Sequence, residues 1–201
     1  MVRCLVLSLL TASVLQGCAP TLEPASPGTE SDDPQDTGDS IINADTGDTS
    51  AWVRGTMVNA TDYKQWIFLD LETGETFTDI NEESWDVAIR RYIFALRGGV
   101  LGKGKVMAVP LPGQVFDDLS MAPPSGYVTD QPDTNDDGVD EYVLGSWYDY
   151  DPTTHILSPA DIVYAIQADE DHYRFQVLDY YNDVGTSGYP SFQWGPIDGP
   201  N

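Results

Sequence analysis

A segment near the middle of the chain, residues 84–99, changes its hydrophobic pattern halfway along. Trp85 and Val87 alternate with polar or small residues, and from residue 92 to residue 96 both faces are apolar. This pattern is typical of a strand that enters the protein with one face in water and ends buried on both faces. Because apolar residues also recur at helical spacing, a helix is the alternative. The aromatic and β-branched content and the Gly98-Gly99 pair favour the strand.

Other short runs of branched and aromatic residues lie at strand-like spacing with turn residues between them. These runs are residues 63–71, 76–78, 106–109, 142–150, 161–168, 173–181 and 189–194. Residues 72–75, Glu-Thr-Gly-Glu, predict a hairpin turn between the first two runs. In the run that begins at Tyr173, apolar residues alternate with Arg174 and Gln176, so one face is expected to be wetter. Since no long amphipathic helix is evident, the sequence predicts an all-β, mainly antiparallel domain.

The first 17 residues are typical of a signal peptide. Arg3 precedes a short apolar run that is too short to span a bilayer as a mature helix. The run ends in Leu15-Gln16-Gly17-Cys18, which resembles a bacterial lipobox, so we expect lipidation of Cys18 and anchoring by buried acyl chains. An ordinary secretory peptide with an incidental cysteine is the alternative. Ala19, with no Asp after the cysteine, resembles sorting to the outer membrane of a Gram-negative cell.

Residues 18–50 read as the lipidated cysteine followed by a disordered acidic linker. Between residues 19 and 50 there are eight acidic residues, no Lys or Arg and no aromatic residue. Such a segment cannot bury enough apolar surface to fold. Two Asp-Thr-Gly triplets, at 36–38 and 45–47, lie within it, but an aspartic protease dyad needs a packed, apolar frame. The remaining residues, 51–201, are enough for one domain with a hydrophobic core.

Charge and cysteine content exclude several kinds of partner and site. The 201-residue chain has a formal net charge of -24, which argues against binding to nucleic acid or to an anionic membrane surface. The only cysteines are Cys4 and Cys18, so residues 51–201 can form neither an internal disulfide nor a cysteine metal site. No Gly-x-Ser-x-Gly, His-Glu-x-x-His or dinucleotide motif is present, and an enzyme is not expected.

Residues 133–141, Asp-Thr-Asn-Asp-Asp-Gly-Val-Asp-Glu, match the first half of an EF-type calcium loop. The candidate calcium ligands are Asp133, Asn135, Asp137, Val139 through its carbonyl oxygen, and Glu141. The twelfth position is Leu144, so the bidentate carboxylate is missing, and flanking helices are absent. A calcium loop and a solvated turn both remain open.

Taken in order, the motifs of the domain resemble the HmuY family of haem-binding lipoproteins. The matching pieces are residues 63–66 with 72–74, 85–92 ending at Gly98-Gly99, Gly102-Lys103-Gly104-Lys105, Pro124-Ser125-Gly126-Tyr127, Trp147-Tyr148, Tyr180-Tyr181-Asn182 and Gly188-Tyr189-Pro190-Ser191-Phe192. They cover most of residues 55–194, behind the lipobox. The resemblance implies an all-β, hand-like fold that captures and transfers haem without catalysis. It also implies a haem-carrying protein or an outer-membrane haem receptor as partner.

The same resemblance implies two axial haem ligands donated by loops. In the best-known members of the family these are two histidines, one between the positions of Tyr127 and Trp147 and the other shortly after Trp147. Here residues 128–146 contain neither His nor Met, and the first histidine after Trp147 is His155. The loops of this chain therefore depart from the family pattern at the place where the ligands are expected.

Four side chains remain as candidate axial ligands: His155, His172, Met107 and Met121. For His155 the alternative is a structural histidine bonded to backbone at a strand entry, and for His172 a solvated turn. For Met107 it is core packing, and for Met121 a loop position with no ligand role. Candidate contacts for the haem propionates are Arg90, Arg91, Lys103 and Lys105, which alternatively pair with local carboxylates. Two hypotheses follow: a surface lipoprotein that binds haem, or a HmuY-like fold that has lost haem and is stabilised by calcium.

Overall fold

The computed structural model describes residues 52–81 and 84–201, so the predicted signal peptide, Cys18 and the acidic linker lie outside the described residues. Within them, eleven strands and one 3₁₀ helix follow one another. The strands are β1 (Arg54–Met57), β2 (Ile67–Leu69), β3 (Thr76–Phe77), β4 (Val87–Arg90), β5 (Ile93–Leu96), β6 (Met107–Pro112), β7 (Tyr148–Asp151), β8 (Ile156–Pro159), β9 (Ile162–Ala168), β10 (Asp171–Tyr181) and β11 (Ser187–Pro196). The 3₁₀ helix, Val143–Trp147, directly precedes β7.

These strands form three antiparallel sheets. The largest has the order β1-β11-β10-β9-β6, the second the order β3-β2-β4-β5, and the third is the β7-β8 hairpin. Every pairing between named strands is antiparallel. The predicted all-β, antiparallel fold is therefore confirmed. In the described part of the chain, no helix has the length and hydrophobicity that crossing a membrane requires.

The main core lies between the five-stranded and the four-stranded sheets. The four-stranded sheet contributes Leu69, Val87, Ile89, Phe94 and Leu96, and the five-stranded sheet contributes Tyr164, Ile166, Tyr173, Phe175, Val177, Phe192 and Trp194. The ring of Phe94 meets those of Phe175 and Phe192 edge to face, with centroids 5.9 and 5.8 Å apart. Aromatic packing of this kind adds to the stabilisation that comes from burying apolar area.

Both sheets are also covered on their outer faces. Phe68, Trp85, Ala88 and Ala95 form a second cluster on the four-stranded sheet. Phe116 and Leu119 pack on Val163 and Ala165 of the five-stranded sheet. Strands covered on both faces are expected to be apolar at successive positions. This covering accounts for the absence of a polar face in residues 93–96 and 163–166.

The segment 84–99 forms two strands rather than the single strand that its pattern predicts. Strands β4 and β5 pair from Arg90↔Ile93 to Val87↔Leu96, so the chain reverses at Arg91 and Tyr92. Arg91 has φ 55, a left-handed conformation that Asn and Gly adopt most readily at hairpin turns. Because neither residue type is present at this turn, the local sequence does not indicate the reversal.

Two other predictions are corrected by the structure. The predicted strand 142–150 is a 3₁₀ helix followed by β7. The face of β10 expected to be wetter instead buries Arg174, which is 9% exposed. The guanidinium donates to the carbonyl oxygens of Phe116 and Asp117, at 3.0 and 3.1 Å. A loop from another part of the chain therefore covers this face, which the strand pattern alone cannot show.

Candidate functional site

The turn between β7 and β8 presents His155 at its end. Asp151 organises the turn: its carboxylate accepts hydrogen bonds from the hydroxyl of Thr154 at 2.7 Å and the backbone N–H of Thr153 at 2.8 Å. These bonds hold the pKa of the Asp151 carboxyl below its usual value. The N–H of His155 donates to the Asp151 carbonyl at 2.8 Å. With these contacts His155 adopts φ 60 and is exposed.

The imidazole of His155 is hydrogen-bonded through one ring nitrogen. Its Nδ1 bonds to the hydroxyl of Tyr150, and the two ring centroids lie 6.0 Å apart. Tyr150 is itself half exposed. The interaction engages Nδ1 rather than Nε2, and metal-binding histidines are commonly held by a second partner on the nitrogen that does not bind the metal.

A cavity of about 220 Å³ lies beside the base of this hairpin. Four of its lining residues belong to residues 133–141, here called the acidic loop: Asp137, Val139, Asp140 and Glu141. The others are Tyr92, Ile93, Phe94, Tyr142, Gly145 and Tyr148. The rings of Tyr92 and Tyr148 meet edge to face, 5.9 Å apart. The cavity thus has an aromatic wall, formed by Tyr92, Phe94 and Tyr148. It also has an acidic wall, formed by Asp137, Asp140 and Glu141.

Burial raises the pKa of the phenols of Tyr142 and Tyr148, which line the cavity. Desolvation is the largest cause in each case. Both phenols are therefore protonated at neutral pH and are poor donors of a phenolate to a metal. They offer apolar ring surface and hydrogen bonds instead.

The predicted calcium loop uses its side-chain oxygens to bond its own backbone. The Asp133 carboxylate accepts the N–H of Gly138 at 2.7 Å, Asn135 accepts that of Asp137 at 2.9 Å, and Asp137 accepts that of Val139 at 2.9 Å. At the base of the loop, Glu141 pairs with Gln131 through two backbone bonds of 2.9 Å. Among residues 52–81 and 84–201, no group of three or more His, Cys, Asp or Glu side chains is placed to hold a metal ion. Calcium binding at this loop stays a sequence prediction.

The other candidate ligands lie on a different side of the molecule. Met107 and His172 are both register partners of Gln167, so they share one face of the five-stranded sheet, two strands apart. His172 belongs to β10 rather than to the predicted turn, and its ring lies 6.1 Å from that of Tyr127. Met121 is exposed, and its sulfur accepts a hydrogen bond from the Asn201 side chain at 3.2 Å.

This face of the sheet is the reverse of the face that packs against the hairpin. Tyr173 and Phe175 alternate with His172 along β10 and point into the main core. Tyr148 and Leu157 of the β7-β8 hairpin pack against that same core. The structure therefore does not bring His155 together with His172 or Met107 as a ligand pair.

The predicted propionate contacts differ in their surroundings. The guanidinium of Arg90 lies 4.3 Å over the ring of Trp66. Arg91 lies 4.6 Å over Tyr63 and donates to the hydroxyl of Ser187 at 3.1 Å. Lys103 and Lys105 are exposed in the loop between β5 and β6. Both arginines thus contact aromatic rings.

A family model described as HmuY protein matches residues 62–194. The chain belongs to the HmuY family. The family predicted from the motifs is thereby confirmed, and its model covers the strands from β2 to most of β11. The cavity, the acidic loop and the β7-β8 hairpin all lie within the matched residues. No curated protein matches the chain.

Three solved structures are similar to this HmuY family member. A lipoprotein from Bacteroides fragilis NCTC 9343 has a TM-score of 0.58 at 21% identity and covers 77% of this chain and 93% of its own. The apo HmuY analogue of Tannerella forsythia has a TM-score of 0.57 at 18% identity, and the match covers 75% of this chain and 99% of the analogue. A structure described as a HmuY-like heme binding protein, from Bacteroides vulgatus ATCC 8482, has a TM-score of 0.56 at 20% identity. The match covers 77% of this chain and 95% of that protein. At these identities the likeness shows the shared fold.

The residues present fit a haem ligated from one side. His155 offers an imidazole whose Nδ1 is already hydrogen-bonded to Tyr150, and a partner of this kind is common among metal-ligating histidines. The loop across the cavity contains no His or Met between residues 128 and 146. It contributes carboxylates, and Tyr142 remains a neutral phenol. A second protein ligand of the usual kind is therefore not supplied by that loop.

The sequence indicates His155 as a candidate ligand but does not indicate the tyrosines around it. Tyr148 and Tyr150 are two residues apart on β7, so they lie on one face of the hairpin. That spacing is visible in the sequence Trp-Tyr-Asp-Tyr-Asp, but the predicted strand 142–150 contains both tyrosines and does not set them apart. The contribution of Tyr92 depends on the turn between β4 and β5, for which the sequence contains no signal.

Proposed function

We propose that this chain is a surface lipoprotein that binds haem without catalysis and serves haem acquisition. The observation that carries the proposal is the placement of His155, which the β7-β8 turn presents with Nδ1 hydrogen-bonded to Tyr150. Membership of the HmuY family supports it, as does the fold shared with a solved HmuY-like heme binding protein. A neutral histidine imidazole is a common axial ligand of haem iron.

In this proposal Tyr92, Tyr148 and Tyr150 would provide an aromatic face for the haem, and Nε2 of His155 would bind its iron. The cavity beside Tyr148 is smaller than the 300–1,000 Å³ usual for enclosed ligand sites. The haem is therefore held partly on the open surface of the hairpin.

The charge of the acidic wall sets the orientation of the haem. Asp137, Asp140 and Glu141 line the cavity, and the propionates of haem are also negative. Repulsion between like charges directs the propionates away from this loop. Arg91, next to Tyr92 at the β4-β5 turn, is a candidate cation for the propionates. Arg90, Lys103 and Lys105 remain further candidates.

The route of the haem follows from the proposed anchor. Lipidation of Cys18 would fix the chain to the outer membrane, and residues 19–50 would act as an acidic spacer between the membrane and the domain. A domain tethered in this way exchanges haem with a carrier protein and with a membrane receptor. An open, one-sided site suits such transfer because release breaks a single bond to the protein.

Titration of the mature, unlipidated chain with hemin tests this function. We expect a shifted Soret band that saturates at one haem per chain, and a weaker, altered spectrum for His155→Ala. His172→Ala is the matched control and should leave the titration unchanged. A flat titration with the unmodified chain would reject haem binding. In that case, a calcium-dependent rise in melting temperature that Asp133→Asn removes would support the calcium alternative instead.

A further inference from the structure

We infer that Tyr150 is a positioning residue for His155, holding its imidazole in the tautomer and orientation that present Nε2 to haem iron. This inference rests on the proposed haem function and adds a residue to the site. The observation behind it is the hydrogen bond between the Tyr150 hydroxyl and Nδ1 of His155, made across the β7-β8 turn. The two residues lie in one hairpin, so neither depends on distant packing to meet the other.

The backbone of the turn supports a role for the histidine side chain. His155 adopts φ 60, a left-handed conformation that residues with a side chain adopt less readily than Gly. The bonds from Asp151 to Thr153, Thr154 and His155 maintain it. Gly would satisfy the backbone at lower cost, so the backbone conformation alone does not require a histidine at this position.

The tautomer of His155 depends on which residue donates in its hydrogen bond with Tyr150. If the Tyr150 oxygen accepts, Nδ1 carries the proton and the lone pair of Nε2 is free to bind iron. If the Tyr150 hydroxyl donates to Nδ1, the proton lies on Nε2, and that nitrogen cannot act as a ligand. A tyrosine hydroxyl can accept as well as donate, so it can hold the binding-competent tautomer in the way that second partners of metal-ligating histidines do.

Because both residues are exposed, the hydrogen bond between Tyr150 and His155 can be removed without disturbing the hydrophobic core. Tyr150 and His155 are both exposed, and Tyr150 belongs to none of the three hydrophobic clusters. Loss of the tyrosine hydroxyl therefore removes a contact to the imidazole without creating a cavity. Tyr150→Phe keeps the ring and deletes the donor and acceptor, which makes it the appropriate variant.

The first measurement uses the haem-free chain. Long-range ¹H–¹⁵N correlation spectra of the histidine rings report which nitrogen of His155 is protonated, and His155→Ala assigns its signals. We expect the Nδ1–H tautomer to predominate in the unmodified chain and to lose population in Tyr150→Phe. Tyr63→Phe, which removes the hydroxyl of another exposed tyrosine, should leave the tautomer unchanged. Equal tautomer populations in Tyr150→Phe and the unmodified chain would overturn the inference.

The second measurement uses the haem-loaded chain. Removing a second partner of a ligating histidine typically lowers affinity about 10–100-fold, and we expect Tyr150→Phe to do so and to shift the haem reduction potential. His155→Ala should lose more affinity than Tyr150→Phe. If the unmodified chain takes up no haem, the proposed function fails, while the tautomer measurement still decides whether Tyr150 holds the ring. If haem binds and Tyr150→Phe changes neither affinity nor potential, the positioning role is wrong.

Discussion

The buried carboxylate of Asp130 accepts the backbone N–H of Leu96, the last residue of β5, at 2.7 Å. Its other oxygen accepts the N–H of Val143, the first residue of the 3₁₀ helix, at 2.8 Å. Asp130 is 0% exposed, and it joins the base of the acidic loop to the four-stranded sheet. One side chain thus fixes both ends of the loop that forms the acidic wall of the cavity.

This burial predicts an unusual pH dependence of stability. Desolvation raises the pKa of Asp130 to about 6, and that of Asp86, which accepts the N–H of Leu71, also to about 6. The folded chain therefore binds these protons more tightly than the unfolded chain, where the pKa is 3.8. The resulting stabilisation is complete below about pH 4 and is lost as the pH rises through about 6, by on the order of 2–3 kcal/mol for each group.

Urea denaturation between pH 4 and pH 7 checks this expectation. The free energy of unfolding should fall as the pH rises, and Asp130→Asn should make its decline shallower because the amide does not titrate. Asp118→Asn, at an exposed aspartate, should leave the slope unchanged. A free energy of unfolding that increases steadily from pH 4 to pH 7 would contradict the proposed protonation of the two carboxyls.

Gly99 allows the backbone of the loop to approach the sheet. It has φ +70, and a Cβ at this position would overlap the carbonyl group of Asp130. Gly99→Ala should therefore lower the free energy of unfolding by about 3–5 kcal/mol, because backbone must move. Gly113 has a similar φ of +72 but no atom within 4 Å of the added carbon, so Gly113→Ala should cost only about 1–2 kcal/mol. Equal losses would show that the close approach is unimportant.

Strands could be predicted where a long apolar run lies in one continuous stretch of sequence. The runs 161–168, 173–181 and 189–194 correspond to β9, β10 and β11, and the turn at residues 72–75 lies between β2 and β3. Each of these features depends on neighbours in sequence. The turn at Arg91 and the 3₁₀ helix were missed, because the first is fixed by contacts to Ser187 and the second has a pattern too short to distinguish from a strand.

The site was predictable only in part for a related reason. His155 is identifiable because it is the first histidine after Trp147, but its partner Tyr150 becomes evident only when the turn is folded. The separation of His172 and Met107 from His155 depends on strand register across β6, β9 and β10. The role of Asp130 depends on contacts to residues 34 and 13 positions away. Such long-range relationships leave no trace in a single sequence.

Arg174 should be essential for attaching the segment before Met121 to the sheet. Its NH1 group donates to three carbonyl oxygens, those of Phe116, Asp117 and Leu119, and the guanidinium lies 4.6 Å over the ring of Phe116. Arg174→Met leaves these acceptors without their donor, and we expect a loss of about 2–4 kcal/mol in the free energy of unfolding. Lys105→Met, at an exposed position, should change it by less than about 0.5 kcal/mol. Similar small effects for both would contradict the role of Arg174.

Trp147 connects the core to the aromatic wall of the cavity. Its Nε1–H donates to the carbonyl of Tyr92 at 2.8 Å, and its ring lies 4.9 Å from that of Tyr148. Trp147→Phe removes the hydrogen bond and part of the ring that supports both wall tyrosines. We expect a loss of about 2–3 kcal/mol in stability together with weaker haem binding, measured well below the melting temperature.

Trp194 provides the matched control because its Nε1–H also donates to a buried backbone carbonyl, that of Leu71, at 2.9 Å. Trp194 is as buried as Trp147 but does not line or support the cavity wall. Trp194→Phe should therefore reduce stability by a comparable amount and leave the affinity for hemin unchanged. If both variants lose affinity in proportion to their loss of stability, haem binding reports on the fold as a whole. Selective loss in Trp147→Phe places the haem against the wall of Tyr92 and Tyr148.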